Sequence, residues 1–176
     1  RNSWRYDWVA YSRSDLWWHE AHPPLSVLEG AARGSEDAVF VPFGEDYHGL
    51  NDRYAIMRRE AAEVYFSRWE AIITGQARRY LLDRRTWIHV SWYPLHVGSE
   101  RFLWLHLLDH GIRARRFPGA AVVASCTPGE RCREGWWSTQ MAGARGKSKY
   151  MTEWKLMVNT VARLERNWTW RHTRGG

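Results

Sequence analysis

Residues 38–57 read Ala38-Val39-Phe40-Val41-Pro42-Phe43-Gly44-Glu45-Asp46-Tyr47-His48-Gly49-Leu50-Asn51-Asp52-Arg53-Tyr54-Ala55-Ile56-Met57, and this stretch decides how the rest is read. Ala38 to Pro42 is a short apolar run closed by proline, the pattern of a buried strand. Gly44 to Gly49 predicts a loop carrying Glu45, Asp46 and His48. Asn51 or Asp52 can then cap a helix. From Tyr54 onward, Met57, Ala61, Val64, Tyr65, Trp69 and Ile72 recur at spacings of three to four, while Arg58, Arg59, Glu60 and Glu63 fall off that stripe. This pattern predicts one amphipathic helix, stopped at Thr74-Gly75.

Outward from this centre, Trp4 to Tyr11 is rich in aromatic and β-branched residues and predicts a strand, which the polar Ser12-Arg13-Ser14-Asp15 ends. Leu16-Trp17-Trp18 follows, and Pro23-Pro24 forces a turn or extended chain. Leu25 to Leu28 predicts one helical turn, and 30–37 a loop. Downstream, 76–85 predicts a short basic helix and Trp87 to Trp92 a strand. Ser99 to His110 predicts a helix that is apolar nearly all round, stopped by Gly111. Ile112 to Phe117 and Ala121 to Ser125 predict strands, and Tyr150 to Leu164 a last helix. The Gly-rich, basic segment Gly135 to Lys147 is expected to be mobile, and the tail from Trp168 frayed. The order of elements places the chain in the α/β or α+β class.

Composition bounds the function. The chain has 176 residues, enough for one domain, and 44% hydrophobic with 26% charged residues excludes disorder as its main state. No uncharged apolar run approaches the ~20 residues a bilayer span needs. Residue 1 is Arg and no signal-like apolar region opens the chain, so we expect a chain processed or cut from something longer. Thirteen Trp and a net charge of +7 invite a nucleic-acid reading, RNA included, because Arg neutralises phosphate and aromatics stack on bases. The Arg residues are scattered and form no block of five or more like charges, which favours an ordinary basic globular protein from an Arg-favouring genome over that reading. Cys126 and Cys132 flank the turn signal Pro128-Gly129, which brings them toward disulfide range, and Asn167-Trp168-Thr169 fits an N-glycosylation site. Both features suit a secretory or Golgi lumen. With reduced thiols, a cytosolic or organellar site is equally allowed.

Two clusters carry candidate chemistry. Asp7 and Asp15, with Arg13 between them, stand around the first strand, where carboxylates can hold a divalent metal and an Arg fork can face a phosphate. The alternative is that Arg13 and Asp15 pair with each other. In the second cluster, Asp46 and His48 are metal or substrate ligand types, and Asp52 can act as a general base if burial raises its pKa. Alternatively, Asn51 and Asp52 only cap a helix. The sequence holds no His-Glu-x-x-His pattern and no Gly-x-Ser-x-Gly elbow. Gly146-Lys147-Ser148 lacks the first glycine of a phosphate loop, whose place is taken by Met141. A flexible basic contact with phosphate or RNA is the better reading of that segment.

Taken in order, these motifs resemble part of the GT-A-fold glycosyltransferases. The match runs from Tyr6-Asp7-Trp8-Val9-Ala10-Tyr11-Ser12-Arg13-Ser14-Asp15-Leu16 through Val39 to Pro42 to Gly49-Leu50-Asn51-Asp52-Arg53-Tyr54-Ala55, with Tyr54 where the family has Phe. The Gly98-Ser99-Glu100-Arg101-Phe102-Leu103 helix and Gly111-Ile112-Arg113 extend it, so that it covers roughly residues 4–117. The resemblance implies a partial GT-A-like sheet flanked by helices. It implies transfer of a sugar from a nucleotide-sugar donor to a hydroxyl acceptor, usually with a divalent cation, Mn or Mg. Asp7 and Asp15 would then lie near the metal, Arg13 near the donor phosphates, and Asn51 and Asp52 near the acceptor, with Asp52 as base. This requires Asp7, Asp15 and Asp52 to share one cleft.

The nucleotide-binding half that such enzymes place first is absent from this sequence, and Asp7 and Asp15, eight apart, form no Asp-x-Asp pair. The chain is therefore expected to be a C-terminal piece of an enzyme, or a glycosyltransferase-like, non-catalytic subunit of a protein or protein–RNA assembly. Residues 1–125 are expected to form the glycosyltransferase-like half. Residues 126–176 are expected to form a basic loop and helix packed on the same domain.

Overall fold

The computed structural model describes residues 5–18, 22–32, 37–82, 88–90, 93–119, 121–123, 139–140, 147–148 and 159. The chain divides into two compact units, Arg1–Ser12 with Pro23–Phe117, and Arg13–His22 with Pro118–Gly176.

The first unit is built on a mixed four-stranded sheet. Its strands are β1 (Trp8–Ser12), β3 (Ala38–Pro42), β4 (Tyr54–Arg58) and β7 (Arg113–Phe117), in the order β1-β4-β3-β7. β3 and β7 are parallel, from Ala38 opposite Arg113 to Pro42 opposite Phe117. β4 runs antiparallel to β3, with Val39 opposite Met57, and to β1, with Trp8 opposite Arg58 and Ser12 opposite Tyr54. Hence β1, β3 and β7 point one way and β4 alone points back. Helices α2 (Arg59–Phe66) and α5 (Ser99–Asp109) pack on one face, and the expected α/β class is met. Val39, Val41, Ala55, Met57, Ala61, Tyr65, Leu103 and Leu107 form the core between sheet and helices.

The helix expected from Tyr54 is corrected. Tyr54 to Met57 are the buried residues of the inner strand β4, which ends at the partly buried, extended Arg58, and the helix begins only at Arg59. An inner strand covered on both faces is apolar at every position. Such a run feeds any periodicity, and the following helix extends the apparent stripe backward. The helix also breaks at Ser67, whose hydroxyl donates to the Val64 carbonyl at 2.9 Å, before α3 (Arg68–Ile73). Trp69 and Ile72, read as part of a buried face, are 69% and 51% exposed.

Other elements of this unit lie close to expectation. α1 (Leu25–Ala32) is longer than the one turn foreseen and takes in Gly30, which was expected in a loop. α4 (Arg78–Leu82) is the short basic helix, and β5 (Ile88–Val90) pairs antiparallel with β6 (Tyr93–His96). Gly111 stops α5 with a φ of 74°, a left-handed conformation that glycine adopts without steric cost. Leu103, Leu105 and Leu107 are buried, but Leu108 is exposed, so α5 is not covered all round.

In the second unit, β2 (Leu16–Trp18) pairs antiparallel with β8 (Ala121–Val123), and Val122 and Val123 are buried. β9 (Thr139–Gln140) and β10 (Lys147–Ser148) also pair, β9 inside the segment expected to be mobile and β10 at its end. Cys126, Cys132, Asn167 and, apart from Asn159, the helix expected over Tyr150 to Leu164 lie outside the described residues. Among the described residues no helix is long and apolar enough to cross a membrane.

Candidate functional site

The directions of the strands sort the candidate residues onto two ends of the sheet. In open α/β sheets ligands gather beyond the carboxyl ends of parallel strands. Here that edge carries the loop leaving β3 and the residues entering β4, because β4 runs backward. The segment 44–53, with Glu45, Asp46, His48, Asn51, Asp52 and Arg53, therefore lies at the carboxyl ends of β1, β3 and β7.

This loop is held tightly. Glu45, Tyr47 and His48 have φ values of 52°, 40° and 65°, and Gly44 one of 92°. Non-glycine residues in this region are strained unless the surroundings hold them there. The holding interactions are specific. Asn51 is 4% exposed, donates from Nδ2 to the Gly44 carbonyl at 2.9 Å, and accepts from the Arg53 amide at 3.0 Å. The Asp46 carboxylate accepts from the Asn51 amide at 2.9 Å and from Arg116 Nη1 at 2.6 Å. Glu45 and Arg53 form an ion pair at 3.6 Å with both side chains under a tenth exposed. Arg101 donates to the His48 carbonyl at 3.2 Å. Gly49 meets the first turn of α5 so closely that a Cβ would overlap the Glu100 carbonyl, and the Leu50 amide donates to that same carbonyl at 3.0 Å.

Each candidate residue now has a place. Asn51 is a buried brace of the loop rather than a surface facing an acceptor, and neither it nor Asp52 caps a helix, since β4 follows. Asp46 is spent on Arg116 and the Asn51 amide. His48 is exposed. Asp52 is half-buried, near the Tyr65 phenol, whose pKa is pushed well up by burial first, with Tyr11 and the Asp52 charge adding to it and Arg68 opposing. The Tyr65 hydroxyl is fully buried with no hydrogen-bond partner among the described residues. In the second unit, Arg13 grips Asp15 through two bonds, Nε to Oδ1 at 2.8 Å and Nη2 to Oδ2 at 2.6 Å, the pairing weighed as an alternative above.

Asp7 is the correction. It precedes Trp8, opposite Arg58, whereas Asp52 precedes Tyr54, opposite Ser12. At ~3.3 Å per residue the two carboxylates are roughly 20 Å apart along the ladder. Asp7 thus stands at the amino end of the parallel strands, in a depression it lines with Arg5, Arg58, Arg59 and Glu60. Three guanidiniums oppose a divalent cation there, and the Asp15 carboxylate is occupied by Arg13. Asp7 and Asp15 belong to different units, and among the described residues no group of three His, Cys, Asp or Glu side chains is gathered in one place.

Several residues were not foreseen as part of the architecture. Arg53, Arg116 and Arg101 are the cations that hold the loop, and nothing in their sequence context distinguishes them from the other arginines. Buried His106 places Nε2 3.0 Å from Ser67 Oγ and 3.1 Å from the Val64 carbonyl, bracing the break between α2 and α3. Burial lowers its pKa, with the nearby His110 contributing. No protein family, no curated protein and no solved structure matches the chain.

Proposed function

We propose that the chain is a glycosyltransferase, or the C-terminal portion of one, that passes a sugar from a nucleotide-sugar donor to a hydroxyl acceptor, with Asp52 as the base. The position of Asp52, half-buried at the carboxyl ends of the three parallel strands, supports this reading most. The resemblance of Gly49 to Ala55 to the family motif supports it independently. In the reaction the acceptor oxygen forms a bond to the anomeric carbon, the bond from that carbon to the diphosphate breaks, and the acceptor proton passes to an Asp52 oxygen. The loop that carries Asp52 is held on its chain neighbours by the Asn51 and Asp46 hydrogen bonds and the Glu45–Arg53 pair, which limits the backbone freedom to be lost when substrate binds.

The single cleft for Asp7, Asp15 and Asp52 that the resemblance requires is not met, since Asp7 and Asp52 lie at opposite ends of the sheet. The reading rests on Asp52 and the Gly49 to Ala55 motif alone, and no step is assigned to a metal. The test is donor turnover by the intact chain, with and without added divalent cation. Asp52→Asn is expected to lower turnover by about 10²–10⁴-fold while leaving the melting temperature in place. Unchanged turnover in that variant removes Asp52 as base.

A second reading, a glycosyltransferase-like subunit without catalysis, is favoured by the apolar surface of α2 and α3. Phe66, Trp69, Ile72 and Ile73 are each at least half exposed there, the kind of patch that marks an interface. No turnover by the intact chain with any nucleotide-sugar, together with assembly lost on Trp69→Ser, would select this second reading.

A further inference from the structure

We infer that the outer edge of β7 takes an extended acidic segment of another polypeptide as an added strand. β7 ends the four-stranded sheet on one side, and among the described residues no strand pairs with its outer edge. The bonds it makes toward β3 fix which backbone groups are left over. The Arg113 amide donates to the Asp37 carbonyl at 2.9 Å, and the Phe117 carbonyl accepts from the Phe43 amide at 2.9 Å. Backbone groups of successive strand residues point to opposite sides, so those of 113, 115 and 117 face β3. The amides and carbonyls of Ala114 and Arg116 therefore face outward. Arg113, Ala114 and Arg115 are exposed, and the edge is open to water there. A row of outward main-chain groups on a sheet edge is a template for a further strand.

The side chains choose the partner. Arg113 and Arg115, two apart, stand on one face of the strand, beside Ala38 and Phe40 in the register. Neither forms an ion pair among the described residues. The register brings one carboxylate next to them, that of Asp37 before Ala38, and two guanidiniums against one carboxylate leave the pair positive. Arg116 lies on the other face and is spent on the Pro42 carbonyl at 3.0 Å and the Asp46 carboxylate at 2.6 Å. An added strand sets alternate side chains beside Arg113 and Arg115, where opposite charges attract and like charges repel. Carboxylates two residues apart fit that spacing. A second copy of β7 does not, because it would set arginine against arginine.

Two further observations narrow the occupant. Nowhere in the 176 residues do two acidic residues stand two apart, so they do not hold the matching segment themselves. The other edge strand of the sheet, β1, has no charged residue, so the arginines are particular to the β7 edge rather than a device repeated on every edge. Strand addition here does not depend on Asp52 acting as a base.

The test is fluorescence anisotropy of the intact chain with a labelled peptide of about ten residues that alternates glutamate with valine. Binding is expected, and Arg113→Ser with Arg115→Ser is expected to weaken it about tenfold or more while leaving the melting temperature in place. Ala114→Pro removes one outward amide at an edge position, where proline is tolerated, and is expected to weaken binding with both arginines kept. The same peptide N-methylated at every residue keeps its charges but cannot donate to a ladder, and tests the main-chain bonds without altering the protein. It is expected to bind at least about tenfold more weakly. Absence of binding by the unmodified peptide overturns the inference. So does binding within about twofold of the unaltered chain in the double arginine variant. Equal affinity for the N-methylated peptide would show simple charge attraction and overturn it. Competition by an oligouridylate as effective as by unlabelled peptide would show a general anion site and overturn it too.

Discussion

The two ends of the central sheet use the same residue types for different purposes. At the carboxyl end, arginine and carboxylate meet in closed pairs: Arg53 with Glu45, Arg116 with Asp46. At the amino end, Arg5, Arg58, Arg59, Asp7 and Glu60 share an open hollow in which, among the described residues, only Arg58 is paired, and that to Glu29 outside the lining. Charges spent on one another build a loop. Charges left open to water remain available to a ligand. The closed end supplies a held frame beside the half-buried Asp52, and the open end leaves Arg5 and Arg59 without an ion pair among the described residues.

This contrast can be broken at several points. The largest stability effect is expected at the Glu45–Arg53 pair. Glu45→Gln removes the buried carboxylate that faces Arg53, at an expected cost of about 3–5 kcal/mol in urea denaturation. Joint replacement of both by Met is expected to recover most of that loss, because two desolvated charges are removed together. A loss below about 1 kcal/mol for Glu45→Gln would place the pair with exposed ones and dissolve the distinction between the two ends.

Gly49 tests the rigidity of the closed end directly. Gly49→Ala drives a methyl into the backbone of α5, and the expected cost is about 3 kcal/mol, at the upper end for overpacking. Gly30, inside α1 with open space around it, is the matched control. Gly30→Ala is expected to stabilise by about 1 kcal/mol through helix propensity. Thermal unfolding of the two variants reads both signs.

The helical layer on one face of the sheet responds to pH through His106. Its folded pKa lies below the ordinary value of ~6.5, so the unfolded chain takes the proton first. Stability is therefore complete above about pH 6.5 and falls as pH drops below it, by at most about 1.4 kcal/mol per pH unit, until the folded state also protonates. Urea unfolding at a series of pH values is expected to show this slope, and His106→Gln to remove it. The smallest effect is expected at Arg13–Asp15, whose side chains are 39% and 41% exposed. Arg13→Ala is expected to change stability by less than about 1 kcal/mol in the same assay, since water and salt screen such a pair.

How much of this was legible varied with how local the cause was. β3 was readable because Ala38 to Pro42 is a short apolar run with a proline end, and α5 and α3 were readable at their stops because Gly111 and Gly75 take positive φ. β4 was misread because Tyr54 to Met57 is apolar throughout and joins smoothly to the true helix stripe from Ala61. Gly44 to Gly49 was placed correctly as a loop, but Asn51 and Asp52 were read as caps of a helix that is strand β4, and the commitment of Asn51 and Asp46 to inner bonds was invisible. Their partners, Gly44 and Arg116, are 7 and 70 residues away in the chain.

The sequence by itself determined the α/β class, the buried strand at 38–42, the acidic loop after it and the helix ending at Gly111, because propensity, periodicity and glycine conformation act over a few residues. Only the tertiary structure decided that β4 runs against its neighbours. That one reversal carries Asp52 to the edge where β1, β3 and β7 end and leaves Asp7 among arginines at the other. Strand pairing and register are set by interactions between distant segments, and no local pattern of residues encodes which end of a sheet a side chain will reach.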